Sequence, residues 1–224
     1  MTALIRQTAL ICRKDLIAEA REMTHGISVF LFGILLLLLF SFAFSVEPDL
    51  MRKMAGGLFW LAIFFASILT LNHSFRRETE DKQWEGLLLL GADPKAIFLG
   101  KMLANLLLLL GLQAALLVPM TVLFDIGWTG AASGVLVLGS LGLATLGTLY
   151  AGLTANIKEA QVLLPLLLFP MMVPVLLAAV HATNLLLAHD LFGQQAAWLK
   201  LLVVFDGIFV MGSVLCADWL FDAA

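Results

Sequence analysis

Few side chains in this sequence can do chemistry, and the most unusual is Asp206. It stands about a third of the way into an apolar run at about 199–220. A carboxylate at that depth costs about 2.5–3.5 kcal/mol on the insertion scale. About ten strongly apolar neighbours, each contributing about −0.3 to −0.6 kcal/mol, offset that cost, so the segment still inserts. An acid so placed either serves an ion or proton path or fixes a contact between helices. Asn105 and Gln113, inside another apolar run, read as hydrogen-bonding groups between helices.

Two histidines sit at the ends of apolar runs, His73 near the end of the second and His181 near the end of the fifth. Either imidazole can in principle be an axial heme ligand. The two ends lie a membrane apart, so one heme cannot use both, and a hydrogen-bonded interfacial imidazole is the plainer reading. No dedicated metal set is legible. Cys12 and Cys216 belong to no CxxC or CxxCH pattern, which leaves them as small buried hydrophobes.

The richest polar stretch is 76–96, RRETEDKQWEGLLLLGADPKA. Helix-forming charge runs to Glu85, followed by Gly86, four leucines and a turn at Gly91-Ala92-Asp93-Pro94. Trp84, Leu87 and Leu88 share one helical edge, flanked by Glu78, Glu80, Asp81 and Glu85. That edge suits either a helix seated in a partner's groove or an anchor at headgroup level. No phosphate-binding loop accompanies it: Gly100-Lys101 is followed by Met102, and Lys95 stands where the first glycine belongs. HExxH is absent as well, as is any pair of central membrane aspartates.

The elements that must position these residues follow from bulk composition. Of 224 residues, 62% are hydrophobic and 13% charged, with mean hydropathy +1.02. A soluble domain is about half apolar and a quarter charged, so this is an integral membrane protein. Six apolar runs, at about 27–46, 56–75, 97–124, 131–153, 160–182 and 199–220, are each long enough to span at about 20 residues per crossing. The expected fold is all-α, six transmembrane helices over 27–224 behind a leader at 1–26. No room is left for a soluble catalytic domain of about 100 residues. A net charge of −3 gives no basic patch for nucleic acid.

The leader predicts an amphipathic helix lying on the membrane. Ile5, Ala9, Cys12, Leu16, Ala20 and Met23 form one stripe, with Arg6, Arg13, Lys14 and Arg21 on a flank and the back; Leu10, Ile11 and Ile17 fall off it. Ala43-Phe44-Ser45 resembles a cleavage site, but the first apolar run is too long for a signal peptide and its leader carries acids, so it is expected to be retained. With the N-terminus cytoplasmic, ten basic residues lie inside (Arg6, Arg13, Lys14, Arg21, Arg76, Arg77, Lys82, Lys95, Lys101, Lys158) against three outside (Arg52, Lys53, Lys200). Both termini are therefore expected in the cytoplasm, with 47–55, 125–130 and 183–198 on the other side.

Two spans carry internal signals. Ser140, Ala144, Thr148 and Gly152 place small residues at successive i+4 positions of the fourth, where another backbone can approach closely. Pro165, Pro170 and Pro174 each remove a donor from the fifth, which is expected to be kinked or broken, as a fixed bend or as a hinge.

Taken in order, Leu71-Asn72-His73-Ser74-Phe75, Glu78, Glu80-Asp81, Glu85-Gly86-Leu87-Leu88, Leu99-Gly100-Lys101 and Asn105 resemble the heme exporter protein B family, the membrane subunit of the cytochrome c maturation transporter. Gly142 to Gly147, Leu163-Leu164-Pro165 to Pro174, and Phe205-Asp206 extend the resemblance over nearly the whole chain.

The resemblance implies an ABC-2-type exporter half without catalytic activity of its own. ATP would be bound by a separate cytoplasmic ATPase, whose groove receives a coupling helix at about 78–90. It further implies two copies per ATPase dimer in the bacterial inner membrane, a heme-handling membrane subunit, a small single-span subunit and a periplasmic heme chaperone. The complex would export heme or release the heme-loaded chaperone, with heme a possible substrate and no cofactor bound directly. Beside it stand an ABC-2 exporter of another hydrophobic substrate, a proton-coupled secondary transporter using Asp206, and a structural scaffold without energy coupling.

Overall fold

The computed structural model describes residues 2–44, 47–80, 91–128, 132–154, 160–188 and 193–222, and these form seven helices with no strand among them. In chain order they are α1 (Thr2–Arg21), α2 (Met23–Ala43), α3 (Pro48–Glu80), α4 (Pro94–Phe124), α5 (Ala132–Thr154), α6 (Ala160–Leu187) and α7 (Gln195–Asp222). Six of them, α2 to α7, are long and apolar enough to cross a membrane. In hydrocarbon every backbone group must find its partner inside the segment, and an uninterrupted helix is how these apolar runs achieve that. The chain is a multi-pass membrane protein.

Helices α3 and α5 are the most enclosed spans, and α2 and α7 the least. Phe59, Trp60, Ile63, Phe64 and Leu71 of α3 are buried against Leu143 and Ala144 of α5 and Met172, Val175 and Ala179 of α6. On α2 the exposed residues Ile27, Leu31, Leu35 and Leu39 recur every fourth position, the lipid-facing stripe of a peripheral helix. Lipid is as apolar as leucine, so the hydrophobic effect does not select the inward faces; close packing does. Glycine provides it on α5, where a side chain at Gly139 would collide with the Trp60 ring and one at Gly147 with Leu71.

Helix α3 is longer than the apolar run inside it. It starts at Pro48 and continues past the run to Glu80, so 48–55, expected on the outer side, belong to the same helix as the second span. Helix α2 likewise begins at Met23, inside the expected leader, with Glu22 at the break between α1 and α2. Helix α6 is continuous through Pro165, Pro170 and Pro174, so the prolines do not break it. The turn before α4 is as its residues dictate. Gly91 adopts φ +75°, Asp93 caps the helix by accepting a hydrogen bond from the Lys95 backbone N–H at 2.9 Å, and Pro94 occupies the first turn.

Candidate functional site

At one end of the bundle α1 packs along the start of α4. Thr8, Ile11 and Cys12 are buried there, and Gly100 lies so close that an added Cβ would stand 2.8 Å from Ile11 and 3.0 Å from the Thr8 carbonyl oxygen. Of the stripe expected on α1, only Cys12 is buried; Ile5 and Met23 are exposed. The face that docks is instead Thr8, Ile11, Cys12 and Asp15, because a glycine on α4 and a lysine beside it offer a fit that an apolar stripe lacks. Lys101 is enclosed and its Nζ lies 3.3 Å from Asp15. The Gln7 side-chain oxygen accepts from the Asp93 backbone N–H at 3.2 Å. Residues Asp81, Trp84, Glu85, Gly86, Leu87 and Leu88 lie outside the described residues, and Glu80 is the last residue of α3.

In the middle of the bundle the Asn105 amide donates to Thr148 Oγ1 at 2.9 Å, joining α4 to α5, and Thr145 donates to the Met102 sulfur at 3.4 Å. Ser140, Ala144 and Thr148 are fully enclosed, and Gly152 is half-buried. Gln113 is buried too, but its amide atoms have no hydrogen-bond partner among the described residues, contrary to the bridging role expected of it. Asp206 is buried at the floor of an apolar groove of about 480 Å³ between α5 and α7, bordered by Leu138, Leu141, Val210 and Val214. A Cβ at Gly142 would stand 2.9 Å from its Oδ1, and both carboxylate oxygens lack a hydrogen-bond partner among the described residues. A group of this kind can hold a proton, or it can wait for a donor from outside the chain.

The opposite end opens into a larger cavity of about 710 Å³, lined by Arg52, Lys53, Asp125, Trp128, His181 and Asn184 among others. Arg52 pairs with Asp125, the Asn184 side-chain oxygen accepts from the Gly56 backbone N–H at 3.0 Å, and the Trp60 indole N–H donates to Thr183 Oγ1 at 2.9 Å. His181 stacks on Trp198 with ring centroids 4.6 Å apart. Trp128 is half-buried, its ring centroid 5.4 Å from that of Phe59, and the cavity's two cations, Arg52 and Lys53, suit an anionic group.

His73 lies far from His181, about 30 Å from the Arg52 end of α3 at 1.5 Å per residue. Its neighbours are Glu19, Glu22 and His25, of α1, the α1–α2 break and α2. No sequence signal singles these three out. Glu19 and His25 are separated from His73 by a whole span and its return, and only the meeting of α1, α2 and α3 brings them together.

The comparisons with known proteins agree with this architecture. The family model described as CcmB protein matches residues 6–223. Heme exporter protein B of Haemophilus influenzae is 29% identical over 202 residues, covering 87% of this chain and 89% of its own length. Heme exporter protein B of Escherichia coli (strain K12) is 30% identical over 182 residues, 80% of this chain and 82% of its own. That of Pseudomonas aeruginosa is 33% identical over 150 residues, 65% and 66% of the two chains. With the match running along all six candidate spans and α1, the chain belongs to the CcmB protein family.

Proposed function

We propose that this chain is the membrane subunit of an ATP-driven complex for cytochrome c maturation. In this reading a separate ATPase supplies the energy, and the product is exported heme or a heme-loaded chaperone released at the periplasmic face. The observation that carries the reading is the family match over residues 6–223, whose relatives bear the name heme exporter protein B. The excess of basic residues at the α1 end supports cytoplasmic termini in a bacterial inner membrane. Two copies would sit on an ATPase dimer, beside a heme-handling membrane subunit and a small single-span subunit.

The mechanism is mechanical. The coupling segment, Glu80 to Leu88, starts at the last residue of α3, so the ATPase would grip the chain next to the end of a helix 33 residues and about 50 Å long. Its far end carries Arg52 and Lys53 at the larger cavity. Between the two ends α3 is keyed into α5 at Gly139 and Gly147 and into α6 at Thr183, so a push at Glu80 reaches the outer cavity through packed contacts. Arg52, Lys53 and the faces of Trp128 and His181 would receive the heme-loaded partner. Pro165, Pro170 and Pro174 would let α6 flex as the cavity changes shape.

The test is the double variant Glu85→Lys/Leu87→Lys. Insertion is decided by the apolar runs on either side, so the spans remain, while ATPase association falls and cytochrome c maturation stops. Retention of the ATPase at wild-type level in a pull-down would place the grip elsewhere, in α1. Asp206, without a hydrogen-bond partner among the described residues, favours a second reading, a proton-coupled transporter. Maturation that persists when the ATPase is inactivated would select it.

A further inference from the structure

We propose that Glu19, His25 and His73 form a binding site for one divalent transition-metal ion of the zinc class, clamping α1 and α2 to the cytoplasmic end of α3. One ligand atom from each of the three lies within 4.8 Å of the others. Two nitrogens are buried without a hydrogen-bond partner among the described residues, His25 Nε2 and His73 Nδ1. Buried imidazole nitrogens normally have partners, and here both unpartnered atoms belong to the same three-residue cluster.

The remaining contacts assign the roles. His73 Nε2 lies 3.1 Å from Glu22, and Nδ1 lies 3.5 Å from Glu19 Oε2. A proton on Nε2, donated to Glu22, leaves Nδ1 as a lone pair facing the Glu19 carboxylate. Two electron-rich atoms facing one another repel, and a cation between them turns that repulsion into two bonds. Glu22 then plays the outer carboxylate that fixes the tautomer of a metal-bound histidine. The third ligand, His25, stacks on His73 with centroids 3.8 Å apart and planes 13° from parallel. In the stack the lone pairs run side by side. Side-chain rotation that opens the stack must draw the ligand atoms in by up to about 1.4 Å, from within 4.8 Å to the roughly 3.4 Å separation of tetrahedral ligands with bonds near 2.0–2.2 Å.

Two imidazoles and one carboxylate favour zinc, cobalt, nickel or copper over magnesium and calcium, which take all-oxygen sets. Access is provided by a cavity of about 230 Å³ that Glu19 and His25 line together with Gly26, Val29, Phe30 and Thr70, with room for a water as fourth ligand. The site ties three helices about two turns before the end of α3, so an ion there would stiffen the root of the stretch that continues to Glu80.

The proposal is tested on the full chain, purified without a polyhistidine tag in detergent, by titration calorimetry with zinc chloride and by the visible absorption of added cobalt. We expect one ion per chain, not displaced by millimolar magnesium or calcium. His25→Gln and His73→Gln should each weaken binding more than about a hundredfold, and Glu22→Gln by about 10–100-fold with the stoichiometry kept, while His181→Gln binds as wild type. An independent readout needs no variant: zinc should protect His25 and His73, and not His181, from diethyl pyrocarbonate. Absence of binding, or binding and protection unaltered in the His25→Gln/His73→Gln double variant, would overturn the proposal and leave an ion-pair cluster of His73 with Glu19 and Glu22. Neither measurement involves the ATPase, so the outcome is separate from that of the coupling test.

Discussion

Lys101 and Asp15 meet across the α1–α4 contact, Nζ to Oδ2 at 3.3 Å, with the lysine side chain entirely enclosed and the aspartate nearly so. Asp15 also holds Lys14 at 3.1 Å, so one carboxylate serves a buried and a half-exposed ammonium. The pair fastens the amphipathic α1 to the first turns of α4, and a buried pair is most costly to break from one side.

Lys101→Met leaves the Asp15 carboxylate with Lys14 as its remaining ammonium partner and should destabilise the purified protein by about 1.5–3 kcal/mol, read as an earlier thermal transition in detergent. Asp15→Asn combined with Lys101→Met removes both charges and should recover most of that loss. Equal destabilisation by the single and double variants would show that the pairing contributes little beyond shape.

Asp206→Leu should insert and accumulate at wild-type level, since leucine keeps the branched outline beside Gly142 and makes insertion cheaper by about 3 kcal/mol. Maturation of cytochrome c in cells carrying only this variant should fall. Undiminished cytochrome c, measured by heme staining, would take the carboxylate out of the mechanism.

Cys12 offers a test of the α1 dock that depends on pH. Burial, reinforced by the Asp15 charge, pushes its thiol above the ordinary cysteine range. A raised value keeps the unreactive thiol form at neutral pH and moves thiolate formation to higher pH. In a Cys216→Ala background, iodoacetamide should modify Cys12 slowly at pH 7.5 and speed up only at pH values beyond those that activate a free thiol. Rapid modification at pH 7.5, followed by mass spectrometry, would mean that α1 leaves α4 in solution.

The sequence by itself determined the six spans, because a crossing needs about 20 apolar residues and in lipid a helix is the way a lone segment satisfies its backbone. The turn at Gly91 to Pro94 was equally legible, since a left-handed glycine, a capping aspartate and a proline at the first helical position act within four residues. Faces were another matter. Where lipid and protein interior are equally apolar, hydropathy does not say which side of a helix is inward. The stripe read on α1 was thus replaced by Thr8, Ile11, Cys12 and Asp15, and Gln113 was left without the partner that Asn105 found in Thr148. Only the tertiary structure placed Lys101 against Asp15 and Asp206 beside Gly142, and only it gathered Glu19, His25 and His73. Those contacts depend on which helix ends meet, and steric fit between glycine notches and large side chains on other helices decides that; no local spacing encodes it.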